Sequence, residues 1–235
     1  MTDNQNSAPH MLARLAGLLY LIVVVTGVFS LAYAPSRIFA SAEAQTVLSD
    51  VARNEQLFRF AIFAEAICYT AFLLLPLALY RLLAAAGPAL AATMAALAMA
   101  SVPIGFTNVL HYLRILSLAG QPETASLGAQ AMLALDAYGD GLLLLQVFWG
   151  LWLIPLGFLI ARGRPLPGII GVCLMLAGAG YFIDFSGRLL WEDYGASGIG
   201  AYLRPLRMSE MAICAWLLLF GARGLPLAAR TGRTG

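Results

Sequence analysis

Six stretches of this chain are almost continuously apolar, and its polar residues gather at their ends and in the connections between them. The stretches run approximately over residues 11–34, 57–83, 88–116, 137–161, 166–190 and 206–222. An apolar run of roughly 20 residues spans the hydrocarbon core of a bilayer as a helix, because only a helix satisfies its own backbone hydrogen bonds there. The pattern therefore predicts an all-α, polytopic membrane protein. Its six transmembrane helices form one domain over 11–222, between a disordered tail at 1–10 and a basic tail at 223–235. The breaks "AAAGP" at 84–88 and "RGRPLP" at 162–167 are short and hold Gly and Pro, so the second and third helices, and the fourth and fifth, are read as tight hairpins.

The longer connections differ in kind. Residues 41–52, "SAEAQTVLSDVA", offer Ser41 as an N-cap and set Ala42, Val47 and Val51 among polar neighbours, which predicts a short amphipathic helix lying on the membrane in the first outer loop. Residues 121–136, opening with "QPETAS", read as an outward extension of the fourth helix. The sequence "LAYAP" at 31–35 imitates a signal-peptide cleavage site, but Pro35 follows the cut and the apolar run is long for a signal, so the segment is kept as a helix.

Composition agrees with the pattern. Of 235 residues, 61% are hydrophobic and 11% charged, with a mean hydropathy of +0.82; soluble domains carry about 25% charged residues. All 14 basic residues are arginine, and the net charge of +2 is scattered, which argues against nucleic acid as a partner. Cys68, Cys173 and Cys214 each sit in an apolar run, without CxxC or a His pair, and read as core packing rather than a disulfide or metal site. With six spans both termini share a side. Arg14, Arg81, Arg162, Arg164, Arg223, Arg230 and Arg233 lie on that side, crowding short connections, while 11 of the 12 acids lie opposite, so both termini are expected in the cytoplasm.

Ionisable residues inside the spans are the candidate chemistry. At about 1.5 Å of rise per residue, Arg59 and the deeper Glu65 of the second helix, and Asn108, His111 and Arg114 at spacings of three on the third, fall in the outer third of the bilayer. So do Asp136 and Asp140 of the fourth helix, Asp184 and Arg188 of the fifth, and Glu210 of the sixth. A lone charge in a membrane helix costs several kcal/mol, so such groups face the bundle interior or water and pair with one another. Together they predict a polar chamber open to the outside. Individually, Asp184 with Arg188 and Arg207 with Glu210 also fit ion pairs within one helix that snorkel to the interface, and a lone histidine such as His111 is more often a hydrogen-bonded core residue than a ligand. Small residues at Gly168, Gly171 and Gly178, and at Ala92, Ala96 and Ala100, let helices approach closely. Pro76, Pro103 and Pro155 bend their helices.

The stretches "ARLAGLLYL" at 13–21, Arg59 at the head of the second helix, "LDAYGDG" at 135–141, "PLPGIIGVCLMLAGAGYFID" at 165–184 and "SEMAICAWLLLFG" at 209–221 resemble a bacterial membrane-protein family, the domain of unknown function 4386. The likeness covers nearly the whole chain and implies a six-helix bundle of the bacterial inner membrane with no established activity. It also implies that the family's recurring polar positions are Arg59, Asp136, Asp184 and Glu210, with Gly139 three residues after Asp136.

Two function classes follow. In the first, the chamber binds the head of a small amphiphile or membrane lipid, its arginines pairing phosphate or carboxylate in a fork. In the second, Glu65 as acid and Asp184 or Asp140 as partner act as an intramembrane acid–base pair on a lipid or isoprenoid-like substrate. The Asp136–Asp140 spacing is similar to the magnesium-binding pairs of intramembrane prenyltransferases, but a second Asp-rich motif is missing. No HExxH, Gly-rich phosphate loop or nucleophile elbow is present, so no metal or cofactor is expected. A transporter would place its carboxylates at mid-membrane. A purely structural bundle would use the charges to fix helix register.

Overall fold

The computed structural model describes residues 3–40, 43–121, 124–163, 165–223 and 225, and among them every regular element is helical. The first apolar stretch forms α1 (Asp3–Val28), a π-helical turn (Phe29–Tyr33) and α2 (Ala34–Ile38). After α3 (Val47–Arg53) come α4 (Glu55–Leu83), α5 (Pro88–Ala119), α6 (Ala125–Ala161) and α7 (Pro165–Leu190). The chain then makes a 3₁₀ turn (Glu192–Gly195) and ends in α8 (Ile199–Arg207) and α9 (Ser209–Phe220). Five segments are long and apolar enough to cross a bilayer: Pro9–Ile38, Glu55–Ala86, Pro88–Ala119, Ala125–Ala161 and Pro167–Leu190. The sixth expected segment is broken at Met208, leaving α9 with 12 residues, a rise of about 18 Å against the roughly 30 Å of a hydrocarbon core. The tract after residue 124 does extend the fourth spanning helix, giving α6 its 37 residues.

Contacts divide the chain into two compact units. One comprises Met1–Tyr20, Leu74–Met99 and Gln146–Gly235. In it α6 and α7 approach at facing glycines: a Cβ added at Gly150 would lie 2.7 Å from the Gly178 carbonyl oxygen, and one added at Gly157 would lie 2.5 Å from that of Gly171. α9 closes equally tightly on α1, where a Cβ at Gly17 would lie 2.8 Å from the Leu218 nitrogen, and Cys214 donates to the Gly17 carbonyl at 3.6 Å. Gly221, at φ 61°, ends α9 in the left-handed region that favours glycine. The next amide, Ala222 N–H, donates to His10 Nδ1 at 3.2 Å. His10, which carried no signal as a tail residue, thereby ties the end of α9 to the start of the first spanning segment.

The other unit comprises Leu21–Leu73 and Ala100–Leu145. Here Val47 and Leu48 of α3 are buried with Leu118 of α5 and Ala131 of α6, flanked by Phe39, Leu127, Met132 and Leu135. Val47 and Leu48, on the apolar face of α3, are therefore covered by protein. The expected cap at Ser41 lies outside the described residues, and Thr46 occupies the N-cap position without a side-chain cap bond. Cys68 donates to the Val23 carbonyl at 3.5 Å, a packing contact of the kind expected.

Candidate functional site

In the first unit, "GYFIDFSGRLLWEDYG" at 180–195 folds back on itself. α7 ends at Leu190, Trp191 is extended, and the 3₁₀ turn returns the Tyr194 ring onto Gly187, where any side chain would collide with it. The Tyr194 hydroxyl donates to Asp184 Oδ1 at 3.0 Å, and Arg188 Nε donates to Oδ2 at 3.2 Å. The carboxylate is enclosed, with 3% of its side chain exposed, while the Arg188 side chain is 53% exposed. Gly198, at φ 73°, turns the chain into α8, and Gly200 comes so close that a Cβ there would lie 3.0 Å from Asp184 Oδ1. The result is a cleft of about 270 Å³ lined by Gln146, Asp184, Arg188, Tyr194 and the backbone of Gly198 and Gly200. Among the described residues the terminal amines of Arg188 have no hydrogen-bond partner, and the buried Gln146 Oε1 has none either.

Glu210 occupies a different position in the same unit. Its Oε2 accepts from the Tyr20 hydroxyl at 3.0 Å and its Oε1 from that of Tyr181 at 3.2 Å. Those rings stand against Trp152 and Trp149. The alternative partner, Arg207, has a side chain outside the described residues.

The second unit holds seven of the ten candidates, and they divide by burial. Glu65 and Asn108 are enclosed, at 0% and 1% exposure. Tyr138 of α6 joins them: its hydroxyl donates to Glu65 Oε1 at 3.0 Å, and its carbonyl accepts from Asn108 Nδ2 at 3.2 Å. The Tyr112 ring stacks on it, with centroids 3.8 Å apart. Arg59, Arg114, Asp136 and Asp140 are exposed and His111 is half-buried. Arg59 pairs with Glu55 at 2.7 Å, and Arg114 donates to Gln130 at 3.2 Å. Among the described residues no three His, Cys, Asp or Glu side chains gather as a metal-holding group.

Tyrosines and Gln146 were missed as site residues because they raised no flag in apolar runs. A signal existed for two of them: Tyr69 follows Glu65 by four residues and Tyr112 follows Asn108 by four, so each pair shares a helix face.

Five membrane-length helices that enclose carboxylates and an amide define a multi-pass helical membrane protein. The chain belongs to the family described as domain of unknown function (DUF4386), whose family model matches residues 15–221. Neither a curated protein nor a solved structure matches it.

Proposed function

We propose that this membrane protein takes the anionic head group of an amphiphile into the cleft between α7 and α8. The observation that carries this is Arg188, which lines the cleft: its Nε is committed to Asp184, while its two terminal amines have no partner among the described residues. Such a pair of donors matches a phosphate or carboxylate bidentately. The volume of about 270 Å³ lies at the small end of the roughly 300–1,000 Å³ usual for ligand pockets, so it suits a head group and leaves an acyl tail outside. Gln146 Oε1 supplies an acceptor for a hydroxyl on the same head. The surrounding surface suits head-group depth: Leu189, Leu190, Trp191, Tyr202 and Met208 are exposed, and Trp and Tyr favour membrane interfaces, as do amphipathic helices such as α8. No contact among the described residues favours the acid–base enzyme, since Asp140 is exposed while Glu65 is enclosed.

Native mass spectrometry of the detergent-purified protein tests the site with phosphatidylglycerol as the anionic probe and diacylglycerol as the neutral one. The wild type should retain the anionic lipid preferentially, and Arg188→Gln should weaken that retention about tenfold or more, as expected for a lost charge-assisted pair worth about 1.5–3 kcal/mol. Arg188→Lys, which keeps the charge but not the fork, should fall between them. Equal retention by Arg188→Gln and wild type, with unchanged thermal melts, would exclude the cleft.

The topology proposed with this site has α9 and its flanking turns as a sixth crossing of the inner membrane, with both termini in the cytoplasm on the arginine distribution. A green fluorescent protein fused after Gly235 should fluoresce, and alkaline phosphatase at the same point should be inactive. The opposite pair of results reverses the orientation.

A further inference from the structure

Besides Thr46 Oγ1 at the head of α3, one compact unit holds four buried side-chain oxygens without a hydrogen-bond partner among the described residues: Ser30 Oγ, Glu65 Oε2, Tyr69 OH and Asn108 Oδ1. None of these four residues is more than 2% exposed. Helix contacts place them at neighbouring levels. The Tyr69 ring fills the space left by Gly105. Because α4 and α5 are joined by a tight turn and run in opposite directions, one turn back from Tyr69 to Glu65 corresponds to one turn on from Gly105 to Asn108. Tyr138 confirms that correspondence by bonding to both. Likewise Gly27 faces Cys68, a Cβ there lying 3.5 Å from its Sγ. One turn onward along the first spanning segment brings Ser30 toward Glu65. Ser30 lies in the π-helical turn Phe29–Tyr33, and such turns recur at functional sites.

Chemistry narrows what these atoms await. All four are oxygens, hard donors that suit alkali or alkaline-earth cations rather than thiophilic metals. They include a single carboxylate, whereas divalent cations usually draw several carboxylates or keep their waters. A carboxyl group in a spanning helix either keeps its proton or is held by a compensating charge, and the arginines of this unit are engaged elsewhere. Arg37 lies over Tyr33, Arg53 pairs with Asp50, Arg59 with Glu55, and Arg114 bonds to Gln130. His111 is half-buried and makes no bond among the described residues. An internal water would satisfy hydrogen bonds but bring no charge.

From these observations we infer that Ser30, Glu65, Tyr69 and Asn108 form a binding site for a dehydrated monovalent cation, with sodium as the fitting ion. The site is separate from the head-group cleft and does not depend on it. Thermal melts of the purified protein in detergent, with sodium chloride exchanged for choline chloride at constant ionic strength, provide the test. A ligand bound only by the folded state raises the midpoint progressively with concentration, so the wild type should melt several degrees higher in sodium, whereas Glu65→Gln should melt alike in both salts. Tyr69→Phe, which keeps the ring and deletes one oxygen, should need about tenfold more sodium for the same shift, and it decides the matter if Glu65→Gln does not fold. Identical wild-type melts in the two salts would overturn the site in favour of a protonated Glu65 or a trapped water. A sodium shift that persists unchanged in a folded variant would place the ion elsewhere.

Discussion

Replacing Gly171 with leucine is expected to leave no folded protein to purify. A Cβ at Gly171 would lie 2.5 Å from the Gly157 carbonyl oxygen and would also collide with the Ala161 backbone nitrogen. These are backbone atoms of α6, so no side chain can rotate away and the two helices must separate. The separation would spread, because seven residues along each helix Gly150 and Gly178 face each other in the same manner, a Cβ at Gly178 lying 2.6 Å from the Gly150 carbonyl oxygen. Membrane helices associate through such close packing, since lipid supplies no hydrophobic drive between them. Overpacking a well-fitted contact costs about 1–3 kcal/mol even where side chains can adjust, and here they cannot. Size-exclusion profiles should show loss of the monodisperse peak for Gly171→Leu and a lowered melt for Gly171→Ala. Gly139→Ala, where nothing lies within 4 Å of the added atom, should match the wild type. A Gly171→Leu protein that purifies and melts like the wild type would mean that α6 and α7 are not in contact at this point.

That contact shows what a sequence of this kind displays and what it hides. Gly171 and Gly178 stood out as a small-residue stripe on one helix, yet a single chain does not say which helix the stripe meets, and Gly150 and Gly157 share its seven-residue spacing without having been paired to it. The five long helices were legible because a bilayer imposes a minimum apolar length. The sixth, read over 206–222, runs across the break between α8 and α9, where "RPLRMSE" at 204–210 carries polar residues and a proline. The apolar face of α3 was visible as a pattern, but amphipathicity is the same whether lipid or protein covers it. Burial sets Glu65, Asn108 and Asp184 apart from the other polar candidates. It leaves Arg59 on the surface beside Glu55, a neighbour one turn away. The partners of the buried acids are tyrosines, whose rings count as apolar in any hydropathy pattern and whose hydroxyls alone satisfy a carboxylate.

Glu210 tests that last point. Its two carboxylate oxygens receive the hydroxyls of Tyr20 and Tyr181, so it ties α9 to α1 and α7. Tyr20 is 1% exposed, and Glu210 is the acceptor of its hydroxyl. Glu210→Leu would strand that hydroxyl and weaken the tie to Tyr181, at about 1–3 kcal/mol for each buried polar group left without its partner. For a chain of this length the melting midpoint moves about 2–4 °C per kcal/mol, so a drop of roughly 5–10 °C is expected. Glu210→Gln keeps an oxygen for one tyrosine and offers an amide to the other, and should lose only a small part of that. Adding Tyr20→Phe to Glu210→Leu should recover part of the loss, because the stranded hydroxyl is then removed together with its acceptor. Retention of phosphatidylglycerol by Glu210→Gln should equal that of the wild type, since the cleft is built around Asp184 and Arg188. If Glu210→Gln instead lost the lipid while keeping its melt, Glu210 would belong to the binding site, and its two tyrosines would position a ligand group rather than a helix.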